Sequence, residues 1–226
     1  VIKTENSWFA EASLLYLPPQ TLFMRGMEWP VVGVLSNEWV RLEPLGQEHA
    51  AGLAEAVQDG ALWKLWYTAI PAPDQMAAEI ERRRNLQEQG SMVPFAVLDA
   101  ASERLLGMTT YMNIAAAHRR LEIGSTWYRA SAQRSAVNTA AKMLLLTAAF
   151  EGNEAIAVEF RTHFFNAASR AAIERLGAKQ DGILRSHQVS AGGVLRDTVV
   201  YSIIAAEWPA VRKHLQYRLG IAAPAV

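Results

Sequence analysis

The chain contains no cysteine. That excludes disulfides, a thiolate nucleophile and any cysteine-ligated metal. It also fits a reducing compartment, so a cytoplasmic location is expected. Net charge is lacking too: 22 basic residues balance 22 acidic ones, which argues against a nucleic-acid tail or a polybasic membrane anchor. No apolar run approaches the ~20 residues that span a bilayer, since "SLLYLPPQTLF" is short and broken by Pro18 and Pro19. The five histidines, His49, His118, His163, His187 and His214, show no zinc-site spacing, so no metal is expected. Internal repeats and low-complexity linkers are missing. A chain of 226 residues, 51% of them apolar, therefore reads as one domain with a substantial core. No signal-peptide pattern is present. A beginning at Val1 reads as processing, truncation or a vector-derived residue, with Met24 and Met27 as starts further in.

Regular patterning begins near residue 37. Residues 1–36 are expected to form an N-terminal arm, native or partly vector-derived, residues 37–220 the domain, and 221–226 a tail. In "EWVRLEPL" Val40 and Leu42 alternate with charged neighbours, which predicts a strand, and a helix follows over 47–58. "ALWKLWYTAI" places Trp63, Trp66 and Tyr67 at helical offsets, either as a core stripe or as the wall of a substrate pocket. "DQMAAEIERRRNLQEQG" reads as an amphipathic helix capped by Asp74 and ended by Gly90. Strands are expected over 93–99, 103–114 and 119–128, joined by short links as an antiparallel meander. In the last of these, Leu121 and Ile123 face one way, Glu122 and Gly124 the other. Then come a helix (136–150), a strand (154–162), a helix (166–178), a hairpin around "SAGG" and a final helix with Pro209 in its first turn. This order predicts a single mixed α/β domain.

"AQRSAVNTAAKMLLLTAAF" turns from polar to apolar as it enters the helix after strand 119–128. A helix N-terminus exposes unpaired N–H groups and a partial positive charge, which suits a phosphate. Arg134 can neutralise it, and Ser135 or the backbone can donate. An ordinary capped core helix is the other reading.

Taken in order, "LEIGSTWY", "QRSAVNTAAKMLLLTAAF", "VEFRTHFFNAASRAAIERLGAKQDGILR" and "RDTVVYSII" resemble the GCN5-related N-acetyltransferase (GNAT) superfamily, most closely its RimJ/RimL-like ribosomal-protein acetyltransferase branch. The resemblance covers about residues 37–215. It implies a mixed, mostly antiparallel sheet with flanking helices, splayed between two parallel central strands, here 119–128 and 154–162, with acetyl-CoA in the splay. The pyrophosphate cradle then maps to Gln133, Arg134, Ser135, Ala136, Val137, Asn138 and Thr139. Ala136 and Asn138 stand where the family usually carries small residues, mainly glycine. Asn166 matches an asparagine that bonds the pantetheine arm and also caps a helix. Ser169 matches a serine proposed to protonate the leaving thiolate, ahead of Tyr128 and Tyr201.

Glu122 is the expected general base or water-orienting carboxylate, because an alkylamine is mostly protonated at neutral pH and must lose a proton to attack a thioester. Its other reading is a strand residue paired with Arg119 or Arg120. The resemblance also implies a glutamate, carried by the ribosomal-protein acetyltransferases, where this chain has Gln188, and His187 beside it points the other way in a regular strand. A strand N–H around Ile123–Thr126 is expected to stabilise the oxyanion. The implied activity is direct acetyl transfer in a ternary complex, from acetyl-CoA to a primary amine of a small molecule or protein N-terminus. Trp63, Trp66, Tyr67, Trp127 and His163 are expected around the acceptor. No nucleic-acid or membrane partner is expected. The alternatives are a non-catalytic CoA-binding or protein-interaction module, and a homodimer formed through Trp8, Phe9, Leu14, Leu15 and Tyr16.

Overall fold

The computed structural model describes residues 29–190 and 192–221; the aromatic cluster of residues 8–16 lies outside them. Eight strands form one sheet: β1 (Leu35–Ser36), β2 (Val40–Pro44), β3 (Met92–Asp99), β4 (Leu105–Ala115), β5 (Arg120–Tyr128), β6 (Ala157–His163), β7 (Lys179–Val189) and β8 (Leu195–Ile204), in the order β1-β2-β3-β4-β5-β6-β8-β7. Every neighbouring pair is antiparallel except β5 and β6. The expected mixed, mostly antiparallel sheet with flanking helices is therefore the architecture found. Residues 29–36 are bonded into the fold: Leu35 pairs with Leu42, and the Trp29 indole donates to the Asn153 carbonyl at 2.8 Å.

Two apolar cores, one on each face, hold the layers together. The larger joins the sheet to α3 (Val137–Thr147), α4 (Ala167–Arg175) and α5 (Trp208–Arg218); it includes Leu42, Phe95, Tyr111, Leu121, Leu145, Phe160, Tyr201 and Leu215. Helix α3 is buried from Thr139 to Leu146, which is why its sequence is apolar almost all round. Its C-terminus passes into a π turn over Ala148–Gly152, where Phe150 stacks on Trp208 of α5. The smaller core lies under α1 (Ala50–Gln58) and α2 (Met76–Glu88), with Leu53, Val57, Met76, Ile80, Met108 and Trp127.

Some local expectations differ from what forms. Asp74 does not cap α2; it lies in a 3₁₀ turn, Pro73–Gln75, that precedes the helix. The aromatic stretch 61–70 is not a continuous helix either. It holds a 3₁₀ turn, Leu62–Lys64, entered through a left-handed Ala61. Trp63 packs against the smaller core while Trp66 turns outward.

The sheet opens at its centre. β5 and β6 pair only through Arg120↔Ala157, Leu121↔Val158 and Glu122↔Glu159. Beyond Glu122, β5 stays with β4 and β6 stays with β8. A β-bulge lies on the departing half of β5: Thr110 pairs with Gly124 but Met108 pairs with Trp127, so Thr109 opposes both Ser125 and Thr126. Ser125 takes a left-handed φ of 47°. A bulge bends its strand and re-aims the side chains that follow. Here it exchanges the faces. Leu121 and Ile123 enter the larger core, but so does Tyr128, while Trp127 enters the smaller one.

Candidate active site

Three parts converge on the opening: the loop and helix N-terminus after β5, the polar face of β5, β6 and β8, and the aromatic turn before α2.

The loop Gln133–Ala136 is short and self-bonded. The Gln133 side chain donates to the Tyr128 carbonyl at 2.9 Å. The Ser135 hydroxyl donates to the Ala132 carbonyl at 2.6 Å and accepts from the Val137 N–H at 3.3 Å. The first N–H to enter the helical pattern is that of Ala140, bonded to the Ala136 carbonyl at 2.8 Å. The N–H groups of Asn138 and Thr139 are therefore the free donors of a helix start. The loop's one left-handed residue is Arg134, at φ 60°, whereas Ala136 sits at φ −68°. Ala136 thus needs no glycine. The position that would favour one holds an exposed arginine at the mouth of the helix. These residues fit a pyrophosphate: free amides, a helix dipole and a cation stand together.

Glu122 lies where β5 and β6 part. It is 4% exposed. Its carboxylate accepts from the Asn113 amide at 2.7 Å, and Arg161 Nε lies 3.5 Å away. Arg119 and Arg120 pair instead with Glu154 and Glu159, so neither neutralises it. Gly124 makes room for the carboxylate: a Cβ there would stand 2.7 Å from Glu122 Oε1. Burial pushes the Glu122 carboxyl above the usual carboxylate range, against the opposing pull of Asn113, Arg161 and Arg196.

Asn166 caps α4, its side-chain oxygen accepting from the Ser169 N–H at 3.0 Å. Ser169 is half-buried in the first turn of that helix. The two tyrosines considered beside it stand inside the larger core. Tyr201 is engaged by Arg170 and Glu174.

The aromatic turn meets the end of β6. Trp66 lies edge-on to His163, centroids 5.1 Å apart, with Tyr67 and Phe165 beside them. His163 is buried rather than at the surface, and burial lowers its pKa. Trp66, Tyr67 and His163 are thus brought together. Trp63 and Trp127 are not, because both pack against the smaller core. His187 also departs from its expected direction. Ser186 is left-handed and the β7–β8 register shifts between Leu184 and Gln188, so the His187 ring reaches the Thr198 hydroxyl at 3.1 Å while Gln188 pairs with Arg196 and is exposed.

Sequence reading missed Lys142. In an apolar helix it looks like a surface residue, yet it is buried. Its Nζ donates to Thr126 Oγ1 at 2.6 Å and to Thr109 Oγ1 at 2.9 Å. These are the side chains across the bulge, so α3 is tied to the point where β5 bends. From the other face Arg83, itself buried, donates to Thr110 at 2.6 Å. Among the described residues no cluster of three metal-binding side chains exists, and no helix is long and apolar enough to cross a membrane.

Comparison with known proteins agrees with this geometry. Residues 40–179 match the acetyltransferase (GNAT) domain. The chain is 34% identical over 104 residues to YdaF of Bacillus subtilis (strain 168), provisionally named a ribosomal N-acetyltransferase; the match covers 46% of this chain and 56% of YdaF. It superimposes on the crystal structure of a GCN5-related N-acetyltransferase from Brucella melitensis with a TM-score of 0.72 and 30% identity, over 85% of this chain and 87% of that one. RimJ of Mycobacterium smegmatis, solved in complex with CoA-disulfide, shares the fold at a TM-score of 0.68 and 24% identity, over 82% and 91% of the two chains.

Proposed function

Because the chain belongs to the GNAT acetyltransferase family, we propose that it transfers an acetyl group from acetyl-CoA to a primary amine by direct attack in a ternary complex. The observation that carries this reading is the opening between β5 and β6, with a donor-rich helix start at one end and a buried carboxylate at the other.

Acetyl-CoA supplies an activated acyl carbon and a thiolate leaving group. Arg134 and the N–H groups of Asn138 and Thr139 hold its pyrophosphate, within a cradle formed by Gln133, Ser135, Ala136 and Val137. Asn166 orients the pantetheine arm from the start of α4. The β5 edge freed from β6, over Ile123–Thr126, offers backbone N–H groups to the thioester oxygen. Glu122 accepts the proton of the attacking amine, directly or through water. A carboxyl held above its usual range is better matched to that task near neutral pH. Ser169 gives a proton to the departing sulfur as the nitrogen–carbon bond forms and the carbon–sulfur bond breaks. Trp66, Tyr67 and His163 flank the acceptor.

We place the chain with the RimJ/RimL-like branch, supported by the YdaF match, and take residues 37–220 as the transferase domain. A second reading, a CoA-binding module without turnover, is favoured by one observation: Gln188 stands where the branch carries a glutamate.

Calorimetric titration with acetyl-CoA and CoA tests the proposal. Micromolar binding that weakens about tenfold in Arg134→Ala, followed by thiol release on adding amines, is expected. Absence of both heat and thermal shift with either ligand would overturn it.

A further inference from the structure

The open face of the sheet beyond Glu122 carries donors that the proposed transfer does not use. Residues of β6 and β8 that pair directly share a face. His163 pairs with Thr198, and Arg196 lies two residues further along β8 on that same side. His163 is 3% exposed. Its Nδ1 accepts the Phe165 N–H at 3.1 Å, so the neutral ring carries its proton on Nε2. That Nε2–H is buried and has no partner among the described residues. Arg196 Nε is in the same condition. The other arginines of the face are occupied: Arg161 and Arg120 hold Glu159. Arg196 makes no ion pair within 4 Å among the described residues, although its charge acts on both Glu122 and His163.

A guanidinium half withdrawn from water, beside a buried N–H with nothing to bond, is costly unless an acceptor arrives. The rings above it can receive one. Trp66 lies edge-on over His163 with 61% of its surface exposed, and Phe165 is 66% exposed.

We propose that the acceptor of this enzyme is an amine that also carries a carboxylate, held by the Arg196 guanidinium and the His163 Nε2–H beneath the Trp66 and Phe165 rings, with its amine toward Glu122. Charges alternate in the right sense: the carboxylate meets donors, and the ammonium meets the acid that removes its proton. Arg196 and His163 then select among amines without taking part in bond making. This inference rests on the transferase reading of the same opening, and its test separates the two.

The full chain is titrated calorimetrically at pH 7 with 3-phenylpropionate and with its neutral match, 3-phenylpropanamide, while acetyl-CoA is titrated in parallel. The carboxylate is expected to bind at least tenfold more tightly than the amide. Arg196→Gln and His163→Phe should each remove about a factor of ten from carboxylate affinity and leave the amide unchanged, and Arg196→Lys should retain part of the preference. Circular dichroism establishes that each variant is folded. Equal binding of the two probes, an unchanged carboxylate affinity in Arg196→Gln, or no binding of either probe at 10 mM would overturn the proposal. If acetyl-CoA binds and the probes are not distinguished, only the carboxylate site falls. If the probes are distinguished and acetyl-CoA does not bind, the carboxylate site stands and the transferase reading falls.

Discussion

Replacing Lys142 by methionine should stabilise the protein at neutral pH and weaken it slightly in alkali. Burial brings the Lys142 ammonium down from 10.5 to about 7. Between those pH values the unfolded chain binds a proton that the folded chain does not, so wild-type stability rises with pH across the window. Below pH 7 the full cost of the displacement is present, on the order of 5 kcal/mol at 1.36 kcal/mol per unit. Methionine removes that cost. It also removes two hydrogen bonds, each about 1 kcal/mol. The threonines left behind remain satisfied, since Thr109 and Thr126 already bond each other at 2.7 Å. The net gain at pH 7 is therefore roughly 3 kcal/mol, or about 6–12 °C in Tm for a chain of this size. At pH 10 the recovered cost falls below ~1 kcal/mol, and the two lost bonds make the variant the less stable protein. Denaturant unfolding of both proteins from pH 6 to pH 10 measures the difference directly. A difference that does not vary with pH, or a variant less stable at pH 7, would refute the reasoning. Lys142 also ties α3 to the bulge of β5 through Thr109 and Thr126. The same variant should lose turnover with acetyl-CoA even where it is more stable.

Two further outcomes are expected. Glu122→Gln should lower turnover about a hundredfold. In the wild type the rate should fall with falling pH through an inflection above the usual carboxylate range, because burial raises this group and only its ionised form accepts a proton; a pH-rate series on both proteins shows whether that limb disappears in the variant. Arg134→Gly separates charge from backbone: relief of the left-handed φ should raise stability by about 1 kcal/mol in thermal unfolding, while acetyl-CoA affinity should drop as far as in Arg134→Ala.

Most of the architecture was legible in the chain, because alternation and helical spacing record which face of each element is buried. The strand–helix order, the Leu121/Ile123 face and the Asn166 cap follow from local pattern, which needs no knowledge of distant residues. The helix start after β5 was legible for the same reason: free N–H groups belong to any helix end. What local pattern could not carry was decided by contacts across the sheet. The bulge opposite Thr109 reverses the alternation, so Trp127 and Tyr128 enter the cores opposite to those their spacing from Leu121 assigns. A second irregularity at Ser186 turns His187 toward Thr198. Lys142 acquires its role only because α3 lies across two threonines from different strands. Trp66, His163 and Arg196 are far apart in the chain and come together only because the turn at Trp66 and Tyr67 lies over the end of β6, where the charge of Arg196 on β8 reaches His163. Sequence determined the elements and their buried faces through short-range periodicity; tertiary structure decided which polar groups lost their water, because desolvation depends on what the rest of the chain places over them.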